Sequence, residues 1–178
     1  MTQVHLKPLI PPEEVHLIVN RLASEIRRDY AGKNPLLVGI LKGSFIFLAD
    51  LIRALRIPLE VDFIRAASYG ARTVTSGEVR ITKDVDASIE ARDVLLIEDI
   101  VDTGITIDAI MKILKARNPA SLKFCALLYK PARKVVDVKI DYLGFDLGKE
   151  ARFLVGYGLD YNEGYRYLPG IYIIEKEN

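Results

Sequence analysis

The chain has 178 residues, half of them hydrophobic and 28% charged, with a formal net charge of +1. That is the size and composition of one globular domain with enough chain to bury a substantial core. The near balance of charge excludes a general nucleic-acid or membrane-surface binder, which needs a basic field, but leaves room for a local basic pocket around a small phosphorylated ligand.

The amino-terminal stretch MTQVHLKPLIPPEE has no long apolar core and no small-residue cleavage site, so it does not read as a signal peptide. No run reaches the roughly 18 apolar residues of a membrane span, and the cytoplasm is the expected location. Pro11, Pro12, Glu13 and Glu14 make a helix start, because proline fits the first turn and acids favour the positive end of the helix dipole. Val15, Ile18, Leu22 and Ile26 keep helical spacing up to Asp29, and Gly32 is the expected stop. Residues 36–41 (LLVGIL) form a continuous apolar run of strand length. A helix capped by Ser44 is expected over 44–55, apolar on more than one face, which suits an interface or full burial. Residues 59–65 alternate as a strand, and 78–82 resemble another. The connection 68–78 (SYGARTVTSGE) is polar, contains glycine and is long for a compact domain. Such loops are often lids, and the bland alternative is a disordered hairpin tip.

Residues 93–101 (DVLLIEDIV) read as a buried strand ending in acids, and 106–117 as a helix. A strand over 121–129 is stopped by Lys130 and Pro131. It carries Cys125, the one cysteine, which reads as a buried small hydrophobe rather than a reactive thiol. Runs at 140–145, 153–157 and 171–174 look like further strands. Apolar strands alternating with helices predict an α/β fold with a mostly parallel central sheet flanked by helices. Ligands bind such sheets beyond the carboxyl ends of the strands. The residues to inspect are therefore Lys42, Gly43 and Ser44, the 68–78 connection, residues 98–106, and Lys130.

The sequence VLLIEDIVDTGITIDAI puts Glu98 and Asp99 at the end of a buried strand. Asp102, Thr103, Gly104, Ile105 and Thr106 then open a helix. The first N–H groups of a helix lack internal partners and carry partial positive charge, and a phosphate satisfies them. Gly104 allows close backbone approach, and Thr103 and Thr106 add hydroxyl donors. The loop has no lysine, which suits a phosphate monoester rather than a triphosphate, and the P-loop pattern is absent from the chain. The bland alternative is that Asp102 or Thr106 merely caps the helix. Capping leaves the acidic pair unexplained, because charges ending an apolar strand need partners such as a metal or hydroxyl groups. Asp-Thr-Gly is also the nucleophilic triplet of aspartic proteases, but those are built on β-structure, and here the triplet runs into the helical pattern TIDAIMKILKAR.

From Glu98 to Gly104 the motif resembles the phosphoribosyl-pyrophosphate signature of type I phosphoribosyltransferases. LKGS at 41–44, DFIRAASYG at 62–70, Lys130-Pro131 and FLVGYGLDYNEGYR at 153–166 are similar to the hypoxanthine-guanine phosphoribosyltransferases, in order, from about residue 36 to residue 166. The resemblance implies a single domain over 1–178, with a core at about 36–140 and a small hood from the N-terminal segment and about 141–178. It implies transfer of the 5-phosphoribosyl group from phosphoribosyl pyrophosphate to N9 of hypoxanthine or guanine, giving IMP or GMP plus pyrophosphate. Mg2+ is the implied cofactor, a homodimer or homotetramer the implied assembly, and no nucleic acid or membrane is involved.

The roles follow from the same resemblance. Glu98 and Asp99 face the ribose hydroxyls and the metal, and Asp160 anchors a second metal through water and lies beside the purine. Adjacent strand residues point to opposite faces, so one of Glu98 and Asp99 is partly structural unless the strand has already ended. Asp102 is the general base for the purine N7 proton, and Thr103, Gly104, Ile105 and Thr106 complete the 5′-phosphate loop. Ile105 stands where some relatives carry a basic residue, so backbone and hydroxyl donors hold that phosphate. Lys42, Gly43 and Arg166 are implied on pyrophosphate, with a cis peptide bond between Leu41 and Lys42. Lys130 meets the purine O6, Phe153 stacks on the ring, and the Leu154 backbone bonds its edge. Ser68 and Tyr69 fall where the family has its lid. Two other readings remain: a sister transferase for adenine, xanthine or a pyrimidine, and a regulator that only senses phosphoribosyl pyrophosphate. For the regulator, the chain has neither spare length nor a basic surface.

Overall fold

The computed structural model describes residues 4–68 and 79–176. In chain order the elements are β1 (Val4–Ile10), α1 (Pro12–Asp29), β2 (Leu36–Ile40), α2 (Phe45–Leu55), β3 (Glu60–Ser68), β4 (Val79–Lys83), β5 (Asp93–Val101), α3 (Ile105–Lys115), β6 (Ser121–Tyr129), a 3-10 turn (Pro131–Arg133), β7 (Tyr142–Asp146), β8 (Leu154–Val155) and β9 (Ile171–Lys176). The larger sheet has six strands in the order β4-β3-β2-β5-β6-β7. All its pairings are parallel except β3 with β4. β2 and residues 94–97 of the neighbouring β5 are continuously apolar because both faces are covered. On one face Leu22, Ile26, Phe47 and Leu51 of α1 and α2 pack against Leu95 and Ile97. On the other, Ile110 and Leu114 of α3 pack against Val38, Leu96 and Phe124. The expected α/β fold with a mostly parallel sheet between helices is the observed one.

Three local expectations are corrected. Ser44 does not cap α2: its backbone is already helical, and its hydroxyl donates instead to the Ile40 carbonyl at 2.6 Å. The strand expected over 153–157 shrinks to the two residues of β8, because Gly156 and Tyr157 turn with φ of 96° and 50°. A Cβ at Gly156 would overlap the Gly170 carbonyl, so glycine permits both the turn and the close approach. The stretch 141–178 is not all hood: β7 pairs with β6 in the larger sheet, while β1, β9 and β8 form a separate three-stranded antiparallel sheet. β1 itself was not foreseen. Tyr69 and the rest of the expected lid up to residue 78 lie outside the described residues, and of Ser68 only its backbone pairing with Val79 is described. Among the described residues, no helix is long and apolar enough to cross a membrane.

Candidate active site

The carboxyl ends of the parallel strands open onto a cavity of about 410 Å³. Lys42 and Gly43 enter it from the β2–α2 turn, Asp99 from the end of β5, and Asp102 from the loop that follows. Lys130 and Arg133 come from the end of β6 and the turn after it. Phe153 and Leu154 form a wall at β8, and Asp160, Glu163 and Arg166 come from the loop before β9. Two close approaches hold these segments together. A Cβ at Gly43 would overlap the Asp99 carboxylate, and one at Gly158 would overlap the Gly43 carbonyl. The Leu41–Lys42 peptide bond is cis.

Buried carboxylates here fall into two kinds. Asp62 is structural: it accepts from the N–H groups of Phe63, Asp86 and Ala87 at 2.6, 2.7 and 3.1 Å, and its pKa is held down although burial pushes it up. Asp99 is not neutralised in this way. Burial raises it to about 6, neighbouring backbone N–H groups and Arg166 lower it, and Asp160 pushes it up. Glu98 is also pushed up, first by burial and then by Asp99, and its Oε2 is buried without a partner. Glu98 does not line the cavity. Side chains alternate along β5, and Val94 and Leu96 pack on the α3 side, so Glu98 belongs to the face opposite Asp99. The three carboxylates expected around a metal are thus not gathered: Asp99 and Asp160 face the cavity and Glu98 stands apart. Among the described residues no group of three or more Asp, Glu, His or Cys could hold an ion by itself.

The phosphate loop borders the cavity at Asp102 and leads into α3. Gly104, at φ 82°, is the N-cap, and no side chain caps the helix. Capping by Asp102 or Thr106 is therefore not what these residues do. The Ile105 N–H meets the Thr103 hydroxyl only at 3.5 Å. Gly104 is required twice, since a Cβ there would also overlap the Val136 carbonyl. The Thr103 carbonyl accepts from the Val135 and Val136 N–H groups at 2.9 and 3.0 Å, which ties the loop to the chain after the 3-10 turn.

Asp102 shares one oxygen with Arg133, at 3.2 Å, while its Oδ1 is buried with no partner. Lys130 is only 3% exposed. Its ammonium donates to the Arg152 carbonyl at 2.7 Å and the Ala151 carbonyl at 3.4 Å. Burial lowers the pKa of Lys130, opposed by the nearby Asp102. Phe153 is 51% exposed and meets Tyr161 edge to face at 5.6 Å, while Leu154 is buried. Arg166 donates to the Gly158 carbonyl at 2.7 Å and pairs with Asp160 at 2.7 Å and Glu163 at 3.2 Å. Lys42 pairs with Glu163 at 2.9 Å.

Arg65, Arg133 and Glu163 line the cavity and were not foreseen. Arg133 carried a signal: Pro131 starts a turn, and one turn places position 133 beside Lys130. Glu163 carried none, because a carboxylate in a polar loop is ordinarily solvated.

Residues 12–162 match the family model described as Phosphoribosyl transferase domain. The chain belongs to the phosphoribosyl transferase family. Over 171 residues it is 46% identical to the hypoxanthine-guanine phosphoribosyltransferase of Streptococcus thermophilus (strain CNRZ 1066), covering 96% of this chain and 94% of that one. It is 44% identical over 169 residues to the Bacillus subtilis (strain 168) protein of the same name, covering 95% and 93%. A crystal structure of a hypoxanthine-guanine phosphoribosyltransferase from Bacillus anthracis superposes with a TM-score of 0.90 at 41% identity, covering 96% of this chain and 100% of that one.

Proposed function

We propose that this protein transfers the 5-phosphoribosyl group of phosphoribosyl pyrophosphate to N9 of hypoxanthine or guanine, releasing IMP or GMP and pyrophosphate. One observation carries the residue roles: a single cavity gathers Lys42, Gly43, Asp99, Asp102, Lys130, Phe153, Asp160 and Arg166 from distant parts of the chain. The anionic substrate runs across it. The 5′-phosphate lies on the uncapped start of α3, held by Thr103, Gly104, Ile105 and Thr106 through N–H and hydroxyl donors. Pyrophosphate lies against Arg166, whose guanidinium fork binds two oxygens at once, the Lys42 ammonium, and the backbone N–H groups of Lys42 and Gly43. The purine enters between Phe153, which stacks on it, and Lys130, whose ammonium donates to O6. The Leu154 backbone bonds the purine edge.

Asp102 receives the N7 proton as the new bond forms at N9. Its Oδ1 suits that task because it is buried and has no other donor to satisfy it. The family works with a divalent metal, proposed here to be Mg2+, which when bound neutralises the growing charge of pyrophosphate. Asp99 would hold one such ion and Asp160 a second. The buried Asp99 carboxylate, which faces the cavity together with Asp160, fits a cation. Glu98, on the α3 side of β5 where the 5′-phosphate loop lies, is proposed on the ribose hydroxyls and not on the metal. A cytoplasmic location and a homodimer or homotetramer complete the proposal.

The test is a steady-state screen of hypoxanthine, guanine, xanthine, adenine and uracil with phosphoribosyl pyrophosphate and magnesium. Efficient turnover of hypoxanthine or guanine and almost none of adenine is expected. Turnover confined to adenine or uracil would overturn the proposal.

A further inference from the structure

Glu163 has no role in the reaction as derived, yet it sits at the cavity on the two side-chain cations of the pyrophosphate region. Its Oε1 is 2.9 Å from the Lys42 ammonium, and its Oε2 is 3.2 Å from the Arg166 guanidinium. One carboxylate therefore bridges two cations with two oxygens, as two oxygens of a phosphoryl group would.

The backbone holds it there. Tyr161 and Gly164 close a small bridge, and between them Asn162 and Glu163 have φ of 51° and 64°. Asparagine tolerates the left-handed region, but glutamate has no local reason to adopt it, so the surroundings must hold it. The Glu163 N–H donates to the second oxygen of Asp160, at 2.9 Å. The side chain is nevertheless 66% exposed, as is 47% of Lys42, against 18% of Arg166. Exposed ion pairs are weak and exchange readily. The contact is therefore well aimed and easily displaced.

We infer that Glu163 is an internal stand-in for pyrophosphate: a positioning residue that keeps Lys42 and Arg166 aimed at the cavity and sets pyrophosphate affinity by competing for them. The inference rests on the pyrophosphate reading above. It assigns Glu163 a part in release, since an anion gripped by two cations leaves faster when a tethered carboxylate can replace it. Asp160 still pairs with Arg166 at 2.7 Å without Glu163, so the guanidinium keeps its direction when the competitor is removed.

The experiment is calorimetric titration of wild type, E163Q, E163A and R166Q with inorganic pyrophosphate in magnesium buffer. Removing the competing carboxylate should tighten pyrophosphate binding by roughly three- to ten-fold in both Glu163 variants, the scale of one or two exposed ion pairs. A gain of this kind cannot come from a damaged fold. R166Q should bind more weakly than wild type. If R166Q is weaker but the Glu163 variants bind no tighter than wild type, the stand-in is wrong and the pyrophosphate subsite stands. If R166Q binds as wild type does, the subsite assignment fails and takes the stand-in with it.

Discussion

Replacing Lys130 by methionine removes an ammonium group and keeps an unbranched stem of similar length. The ammonium has three donors and no acceptor. Among the described residues, two donors go to the Arg152 and Ala151 carbonyls, at 2.7 and 3.4 Å, which leaves one for a purine O6. A hydrogen bond from a charged donor is worth about 1.5–3 kcal/mol. Lys130→Met should therefore lower kcat/KM for hypoxanthine and guanine by roughly ten- to 150-fold. Adenine carries a 6-amino donor, so in the wild type two donors oppose each other and a buried cation is left short of a partner. Sites built around such a bond reject the analogue lacking its acceptor by about 10⁴-fold or more. With the ammonium gone that rejection falls, and the gap between hypoxanthine and adenine should narrow mainly from the hypoxanthine side. The same substitution unties Ala151 and Arg152, the segment that leads to Phe153, so a modest loss of Tm is expected as well. The assay is kcat/KM for the three bases in wild type and variant, with thermal unfolding to confirm that the variant is folded. A variant that keeps hypoxanthine kcat/KM within about twofold, with the same discrimination against adenine, would refute Lys130 as the reader of the 6-position.

Asp102→Asn should keep substrate binding and lose about 10²–10⁴-fold in kcat, the usual share of a general base; near wild-type turnover would remove Asp102 from that role. Gly43→Ala places a Cβ into the Asp99 carboxylate and should cost about 1–3 kcal/mol of stability. In urea unfolding, combining it with Asp99→Ala should cost less than the sum of the two, and strict additivity would contradict the contact. Away from the cavity, Asp29 is held at about 2 by hydrogen bonds from Tyr142 and Lys123. Its depressed pKa stabilises the fold above the ordinary carboxylate range and loses that contribution as pH falls toward 2. Asp29→Asn should thus be less stable at neutral pH by about 1 kcal/mol, after discounting for solvent screening. That deficit should close between about pH 4 and 2 in urea melts; a deficit unchanged across that range would mean that Asp29 acts through packing alone.

What the chain determines by itself is whatever depends on local order. β5 and β6 occupy the residues their composition indicates, because each holds an unbroken run of buried apolar residues, 94–97 and 124–128, that only a strand covered on both faces accommodates. The proline-and-acid start of α1 is equally local. Asp102 and Lys130 could be singled out because each follows such a strand at its ligand end. β1 escaped because Pro8 and the charged Lys7 break its pattern, and its partner β9 lies at the far end of the chain, with Val4 opposite Lys176. Ser44 looked like a cap, but the Ile40 carbonyl four residues back was the nearer partner.

Tertiary structure alone decided the rest of the cavity. Glu98 and Asp99 are equal as neighbours in sequence. Which of them faces the cavity depends on which sheet face the glycine turn at Gly43 closes upon, and it closes on Asp99, with the Gly158 loop packed in turn on Gly43. Glu163 is an ordinary loop acid until that loop folds back over Lys42 and Arg166. Periodicity and capping act over a few residues and are written in the chain, whereas the partner of a charge is chosen by contacts between segments more than a hundred residues apart, as from Lys42 to Glu163.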